Sequence, residues 1–414
     1  LMVIDTMRYV PLGYNTSGEM KLLSYLIAWF YESWAFFYKD LTITYAAIIF
    51  PVFMFGLTTI AFFLFSRKIF YKESTNVRNL IALVATLLFI VTPSLLPRTI
   101  AGIPEKESAA FFFMFLTFYF FICSYTEKTN KKSYIFAALA GVSAALTALV
   151  WGGSELVFMT ITAAVFLAFI LGKIDKTKLY SFGIWILISF VLPIPFSTRF
   201  SLQNLIYSTS TGSTIAVFFM IIIHIYIIEN LEKREGTKKY LEKINVPGQI
   251  LSVVISIILI FVISTLLFGP TYLLQPVKDV ISRSIRPLDI SRFGLTVAEN
   301  RQPFFVSDWK GSFGPVFKNI PLFFWLFFIG SVFMFKKLVD EKLSKKETLI
   351  LTLSYLAFLT GLIFSKYSPS SSLNGSSNLS LLVYFGGLLF FVLTFTFFYF
   401  KRYRSREFSI FKEF

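Results

Sequence analysis

Arg98-Thr-Ile-Ala-Gly-Ile-Pro-Glu-Lys-Glu-Ser108 lies between two long apolar runs, Asn79–Pro97 and Ser108–Tyr125. It reads as a short loop at a membrane surface, because each flanking run is long enough, or nearly so, to cross a bilayer. Glu105 and Glu107 sit one residue apart in it, directly before an apolar helix. Carboxylates at that spacing in an extended segment point to the same side and offer oxygen ligands to a hard divalent cation. Acids before a helix N-terminus also favour the macrodipole and cap free amides. Both readings stand on the local sequence.

Working outward, composition fixes the class. The 414 residues are 56% hydrophobic and 19% aromatic, with only 15% charged; a soluble domain is nearer about a quarter charged. This predicts an all-α integral membrane protein. One cysteine, Cys123, and one histidine, His224, exclude a disulfide scaffold and a Cys/His metal cluster. Both fall in apolar runs and read as packing residues. The formal charge of +16 would suggest nucleic acid in a soluble protein; here its distribution gives it another meaning.

Candidate spans fall at about 43–65, 79–97, 108–125, 133–151, 155–171, 179–196, 213–228, 248–268, 320–335, 347–364 and 381–400. Six connecting segments are basic: Ser66–Arg78, Glu127–Lys132, Gly172–Lys178, Glu229–Asn245, Lys336–Lys346 and Lys401–Arg406. By the positive-inside rule they are cytoplasmic, so the excess charge is a topology signal and not a nucleic-acid surface. Met20–Phe37, with Glu32 at its centre and Trp29 and Trp34 beside it, reads as a helix lying on the outer surface. Trp29, Ser33 and Phe36–Phe37 do not settle its rotation. The domain reading is therefore an external segment over 1–42, spans over 43–268 enclosing the acidic loop 98–107, an external loop over 269–319, spans over 320–400 and a cytoplasmic end at 401–414.

The loop Gly269–Asn319 is about fifty residues, far longer than a loop without a task. It concentrates Lys278, Arg283, Arg286, Arg292, Arg301 and Lys310 on a face otherwise poor in cations. An anionic substrate such as a phosphate or pyrophosphate explains them, and so does a merely solvated loop. No Walker A sequence, no Gly-x-Gly-x-x-Gly after a strand and no Ser–His–Asp set is present.

Three stretches taken together resemble one family. Arg98-Thr-Ile-Ala-Gly…Glu105-Lys-Glu107, Ala148-Leu-Val-Trp151-Gly-Gly153 and Thr296-Val-Ala-Glu299 look like the catalytic subunit of oligosaccharyltransferase, most closely the archaeal single-subunit type. Asp5-Thr-Met-Arg-Tyr-Val-Pro11-Leu-Gly13 also resembles the end of that family's first external loop. The resemblance implies a GT-C fold of thirteen transmembrane helices with a C-terminal external domain. The implied reaction moves a glycan from a dolichyl or polyprenyl (pyro)phosphate onto the asparagine of Asn-x-Ser/Thr in an acceptor protein, with Mg²⁺ or Mn²⁺. It predicts a chain cut at both ends, lacking the first acidic motif and the external domain, and so inactive alone.

Carried over by position, the resemblance implies that Glu105, Glu107 and Glu299 hold the metal. Glu299 and Glu107 would be catalytic, with Glu299 approaching the acceptor amide. Glu105 stands where the family usually has aspartate. Arg98, Arg283, Arg286, Arg292, Arg301 and Lys366 are the candidates for the donor phosphate; Lys366 stands in because no arginine opens the helix after Ser365–Ser380. The alternatives are another GT-C transferase using a polyprenyl-phosphate sugar, or a lipid-linked sugar flippase. Asn15-Thr-Ser17, Asn374-Gly-Ser376 and Asn378-Leu-Ser380 are sequons on the expected outer face, in Ser-rich stretches where chance sequons are common.

Overall fold

Every apolar run in the chain becomes a helix, since a backbone in hydrocarbon satisfies its own polar groups most simply that way. The computed structural model describes residues 4–237, 243, 246–269, 277–278, 281–282, 303–318, 320–340 and 343–404. Among these, ten helices are long and apolar enough to cross a membrane: an all-α, multi-pass membrane fold. The chain divides into two compact units. One comprises Leu1–Val91, Leu95–Leu241 and Gly248–Ile257; the other comprises Thr92–Ser94, Glu242–Pro247 and Ile258–Phe414.

The first unit opens with a small hairpin, β1 (Ile4–Asp5) paired antiparallel with β2 (Tyr14–Asn15). Helix α1 (Leu22–Ala35) follows. At 14 residues it is about 21 Å long, too short to span about 30 Å of hydrocarbon. Its rotation is now visible: Leu22, Leu23, Leu26, Ile27 and Phe30 pack on Phe50, Met54 and Val150, while Tyr25 and Trp29 are exposed. Next come α2 (Ile43–Ile69), α3 (Thr75–Ile90), α4 (Lys106–Thr126), α5 (Asn130–Val150), α6 (Glu155–Ile170) and α7 (Lys176–Val191). The short α8 (Leu202–Tyr207) precedes α9 (Thr209–Lys233). Within α9 the stretch His224–Ile228 is a π-helical turn, in which the Glu229 N–H donates to the His224 carbonyl. His224 Nδ1 lies 3.1 Å from Ser252 Oγ, a cross-helix contact that gives the lone histidine a packing role.

The core of this unit surrounds Trp185, fully buried, stacked on Phe182 with centroids 5.6 Å apart and flanked by Phe121 and Phe158. Small residues on α5 let α7 approach closely: a Cβ on Gly141 would meet the Trp185 carbonyl oxygen at 3.1 Å. Hydroxyl pairs tie the helices where hydrophobicity alone distinguishes nothing from lipid. Ser133 Oγ is 2.8 Å from Ser181 Oγ, and Thr162 Oγ1 is 2.7 Å from Thr214 Oγ1.

Helix α10 (Gly248–Phe268) runs from the first unit into the second. The second unit continues with α11 (Leu322–Asp340), α12 (Lys345–Phe364) and α13 (Asn378–Arg404). Helices α12 and α13 touch backbone to backbone: a Cβ on Gly387 would lie 2.7 Å from the Ala357 carbonyl oxygen. At the other end of this pair Glu347 accepts from Lys401 at 2.8 Å and Arg402 at 2.6 Å, and forms a capping box with Ser344.

The structure revises four sequence-based boundaries. The run Asn79–Pro97 is helical only to Ile90, because Pro93 and Pro97 disfavour helical conformation in the residues before them; α3 is thus a 16-residue helix. The basic segments are partly helical: Arg67 and Lys68 close α2 and Lys337 lies in the last turn of α11, where cations favour the helix dipole and reach toward water. The stretch 197–212, between the spans expected at 179–196 and 213–228, contains α8. Within the long loop expected over 269–319, Phe305–Trp309 and Lys310–Ser312 are helical turns. There Phe305, Trp309 and Phe313 pack on Phe324 and Phe328, and the Phe305 N–H donates to the Lys366 carbonyl at 3.0 Å.

Candidate functional site

The loop between α3 and α4 is built from its turns inward. A single helical turn, Leu96–Arg98, brings Arg98 back toward the membrane end of α4. Gly102, at φ +90° where a side chain would be strained, donates its N–H to the Ile48 carbonyl at 3.0 Å and so ties the loop to α2. Glu105 is the N-cap of α4, extended at φ −75°, ψ 157°. Its carbonyl accepts from the Ser108 N–H at 3.2 Å and from Ser108 Oγ at 2.7 Å.

The expected extended pair of acids is therefore not what forms. Glu105 stands before the helix and Glu107 in its first turn, because chain entering a helix at residue 106 leaves no strand geometry for 107. Their environments differ as a result. Glu105 Oε2 is ion-paired with Arg98 Nη1, both side chains 36% exposed. Glu107 is half-buried and makes no hydrogen bond or ion pair among the described residues. Two carboxylates, one held by a cation and one unheld, are the right donor type for Mg²⁺ or Mn²⁺, which prefer hard oxygens. They fit as part of a ligand set and do not complete one. Among the described residues no group of three or more His, Cys, Asp or Glu side chains gathers. Glu299, Arg283, Arg286, Arg292 and Arg301 lie outside the described residues.

The Trp151-Gly152-Gly153 stretch has a physical reason. Trp151 ends α5, its N–H donating to Thr147 at 2.8 Å. Its indole folds back over Gly153, where a Cβ would sit 2.1 Å from the ring, so only glycine fits. The same indole meets Phe111 edge-on at 5.8 Å. Phe111 is one turn after Glu107 on α4, the i, i+4 relation that places side chains on one face. Trp151 thereby braces the helix turn that carries Glu107. Asp5, by contrast, is committed elsewhere: Arg8 Nε donates to it at 3.0 Å and the Met7 N–H at 3.0 Å, which hold its carboxyl below the usual range.

In the second unit Lys366 follows α12 directly. Its ammonium has no partner among the described residues, and burial pushes its pKa below the ordinary lysine value. An unpaired, half-buried cation is a ready anion contact. Sequence reasoning missed a cleft in the first unit between Glu155 at the start of α6 and Arg199 in the loop before α8. Its signal was available: Arg199 is the one cation between the spans expected at 179–196 and 213–228, and Glu155 comes two residues after the Trp-Gly-Gly stretch.

The family model for oligosaccharyl transferase STT3, N-terminal, matches residues 3–400. Among curated proteins none matches the chain. The archaeal oligosaccharyltransferase AglB from Archaeoglobus fulgidus, solved with an inhibitory peptide and a dolichol-phosphate, superposes with a TM-score of 0.56 at 17% identity, over 98% of this chain and 45% of that one. The Archaeoglobus fulgidus oligosaccharyltransferase complex with Zn and sulfate gives 0.53 at 16% identity, over 99% and 45%. The enzyme from the same organism tethered to an acceptor peptide containing the NVT sequon gives 0.50 at 17%, over 95% and 48%. The chain thus spans about half the length of the solved structures it matches, and at these identities the likeness speaks for the fold.

Proposed function

The chain belongs to the oligosaccharyl transferase STT3 family, and from that premise we propose that it forms the membrane part of an enzyme transferring a lipid-linked oligosaccharide to asparagine. The observation that carries the proposal is the Arg98–Glu105 ion pair beside the unheld Glu107 at the N-terminus of α4. The donor is a dolichyl or polyprenyl phosphate or pyrophosphate and the acceptor an Asn-x-Ser/Thr segment, in keeping with the dolichol-phosphate and the NVT peptide bound by the archaeal enzymes. The acidic loop faces the outside of the cell membrane, opposite the basic segments.

In the reaction the acceptor amide nitrogen bonds to the anomeric carbon of the donor sugar. The bond from that carbon to the phosphate oxygen breaks, the lipid (pyro)phosphate departs, and one amide proton is lost. An amide nitrogen is a poor nucleophile because its lone pair is delocalised into the carbonyl. Glu299, accepting hydrogen bonds from the amide N–H groups, orients it and weakens that delocalisation. Bound Mg²⁺ or Mn²⁺ supplies charge stabilisation at the leaving phosphate, as the zinc in an archaeal relative fits. Glu105 and Glu107 contribute oxygens to its site. Arg98 would be a cation for the donor phosphate; Lys366 and the loop arginines Arg283, Arg286, Arg292 and Arg301 are the other candidates for that role.

The test is transfer to a fluorescent Asn-x-Thr peptide from a lipid-linked oligosaccharide, with and without Mn²⁺ or Mg²⁺, by the complete enzyme. Glu299→Gln and the double variant Glu105→Ala/Glu107→Ala should each lower glycopeptide formation by roughly 10²-fold or more, the scale of removing an electrostatic contributor to the transition state. Near-wild-type transfer by both variants would sink the assignment.

A further inference from the structure

The cleft between Glu155 and Arg199 is a second recess in the first unit, lined by neither Glu105 nor Glu107. It opens where α5 ends, α6 begins and the segment after α7 returns, and has a volume of about 190 Å³. If α4 to α7 each cross the bilayer, the loops 98–107, 151–154 and 192–208 share one face. The recess therefore lies on the same side as the acidic loop. Pockets for drug-sized ligands are larger, about 300–1,000 Å³; this one has room for a single sugar ring.

Its hydroxyls are mostly spent. Ser208 Oγ and Ser210 Oγ bond each other at 2.9 Å, Thr211 donates to the Leu205 carbonyl, and Ser189 donates to Ile186 at 3.2 Å. What remains unspent is Arg199, Glu155, Ser154 and the carbonyl of the Asn204 side chain. Arg199 Nη2 and Glu155 Oε1 stand 3.9 Å apart, beyond hydrogen-bond length. The two side chains are 48% and 59% exposed, so their charged ends are open to a ligand. Ser154 is buried and its hydroxyl makes no cap bond to α6. Asn204 uses its amide N–H groups on the Thr198 and Arg199 carbonyls at 3.4 and 3.3 Å. Phe158 and Phe200 supply apolar wall. Arg199 also lies against Gly152, where a Cβ would come within 3.8 Å of its guanidinium, so the glycine-rich turn is packed against the recess.

We propose that the recess between Glu155 and Arg199 is a binding subsite for one uncharged sugar residue, resting on the glycosyl-transfer reading for the sugar's source in the donor glycan. A pyranose has vicinal hydroxyls that both donate and accept. A guanidinium donor beside a carboxylate acceptor matches such a pair, and the C–H face of the ring suits the two phenylalanines. The same pairing disfavours phosphate. Arg199 and Glu155 cancel in charge, and Glu155 would face the anion with a like charge. A subsite here lets the enzyme hold the donor by its glycan as well as by its phosphate, which adds selectivity for glycan identity without touching the reacting bond.

The experiment uses this chain in detergent, with methyl glycosides of glucose, galactose and N-acetylglucosamine as probes in saturation-transfer NMR. Inorganic phosphate is the competitor. At least one glycoside is expected to bind in the millimolar range. Arg199→Ala and Glu155→Gln should each weaken it about tenfold, the loss of one or two ligand hydrogen bonds, with unchanged circular dichroism and size-exclusion profiles. Both side chains are exposed, so folding is not at stake; Gly56→Ala on α2, where an added Cβ meets open space, is a binding-neutral control. No glycoside binding by the wild-type chain, equal binding by both variants, or displacement by phosphate overturns the proposal. Because the readout is binding and not transfer, an enzyme that fails to glycosylate peptide but shows Arg199-dependent sugar binding refutes only the transfer reading. One that transfers, with no such binding, refutes only the subsite.

Discussion

Replacing Arg98 with glutamine should tighten divalent-metal binding, and the size of the effect follows from the loop. Arg98 is ion-paired with Glu105, so a divalent ion taking that carboxylate would displace the guanidinium and then sit near it. A unit positive charge about 6 Å from a divalent ion repels it by about 1.4 kcal/mol at the dielectric of water and about 5.5 kcal/mol at an effective value of 20. Both side chains are 36% exposed, which places the repulsion at the lower end, and the lost ion pair itself is worth about 0–1 kcal/mol. Together they give about 1.4–2.4 kcal/mol, or about ten- to fiftyfold tighter Mn²⁺ binding in Arg98→Gln. Titration of free Mn²⁺ by electron paramagnetic resonance on purified protein reads this directly. Arg98→Lys, which keeps a charge, should remain close to wild type. Unchanged or weaker Mn²⁺ binding in Arg98→Gln would refute the idea that arginine and metal compete for Glu105. In the transfer assay the same variant should raise the donor KM, since the released guanidinium no longer meets the phosphate.

Three further outcomes test separate parts of the structure. Burial lowers the Lys366 pKa, so a donor-binding contribution from its ammonium is full at low pH and fades as pH rises through that lowered value; stability moves the other way in this window, because the unfolded chain holds the extra proton. Lys366→Arg should flatten that alkaline limb of donor binding, and identical pH profiles would remove Lys366 from the site. Glu347→Ala strips the carboxylate, 8% exposed, from Lys401 and from the nearly buried Arg402, and should cost about 3–5 kcal/mol, seen as a lower Tm in detergent; Glu347→Gln, which keeps the cap to Ser344, should cost less. Gly387→Val drives a Cβ to 2.7 Å from the Ala357 carbonyl and should destabilise by about 1–3 kcal/mol, whereas Gly386→Ala meets open space and should change thermal unfolding little.

How much of this was legible in the sequence divides by the range of the interactions. Span positions rest on local hydrophobicity, and each apolar run did become a helix within a few residues. The errors fell at ends, where Arg67 and Lys68 proved to be the last turn of α2 and where prolines cut α3 short. The acidic loop was legible as a place but not as a geometry: Glu105 and Glu107 read as a matched pair, while helix entry at residue 106 gives them different roles and Arg98 takes one of them. The Trp151-Gly-Gly stretch could be recognised, yet the reason for its second glycine, an indole folded onto it, needs coordinates. The recess at Glu155 and Arg199 was missed because, although each charge stands out locally, its walls come from segments about sixty residues apart that no local pattern joins.

The π-helical turn at His224–Ile228 has a consequence for how this chain tolerates changes of length. A π turn holds one residue more than the α-helix needs to keep both flanks in phase. Deleting Ile227, which is 46% exposed, should let the turn close to an ordinary α-helix, with Glu229–Lys233 staying on their present faces. A one-residue deletion among Thr214–Met220 would instead rotate everything beyond it by about 100°. Ile221, Ile223 and Ile225, all buried, would then leave the face they now share with the core. The wide turn marks the site in this span where a codon can be lost without scrambling the helix.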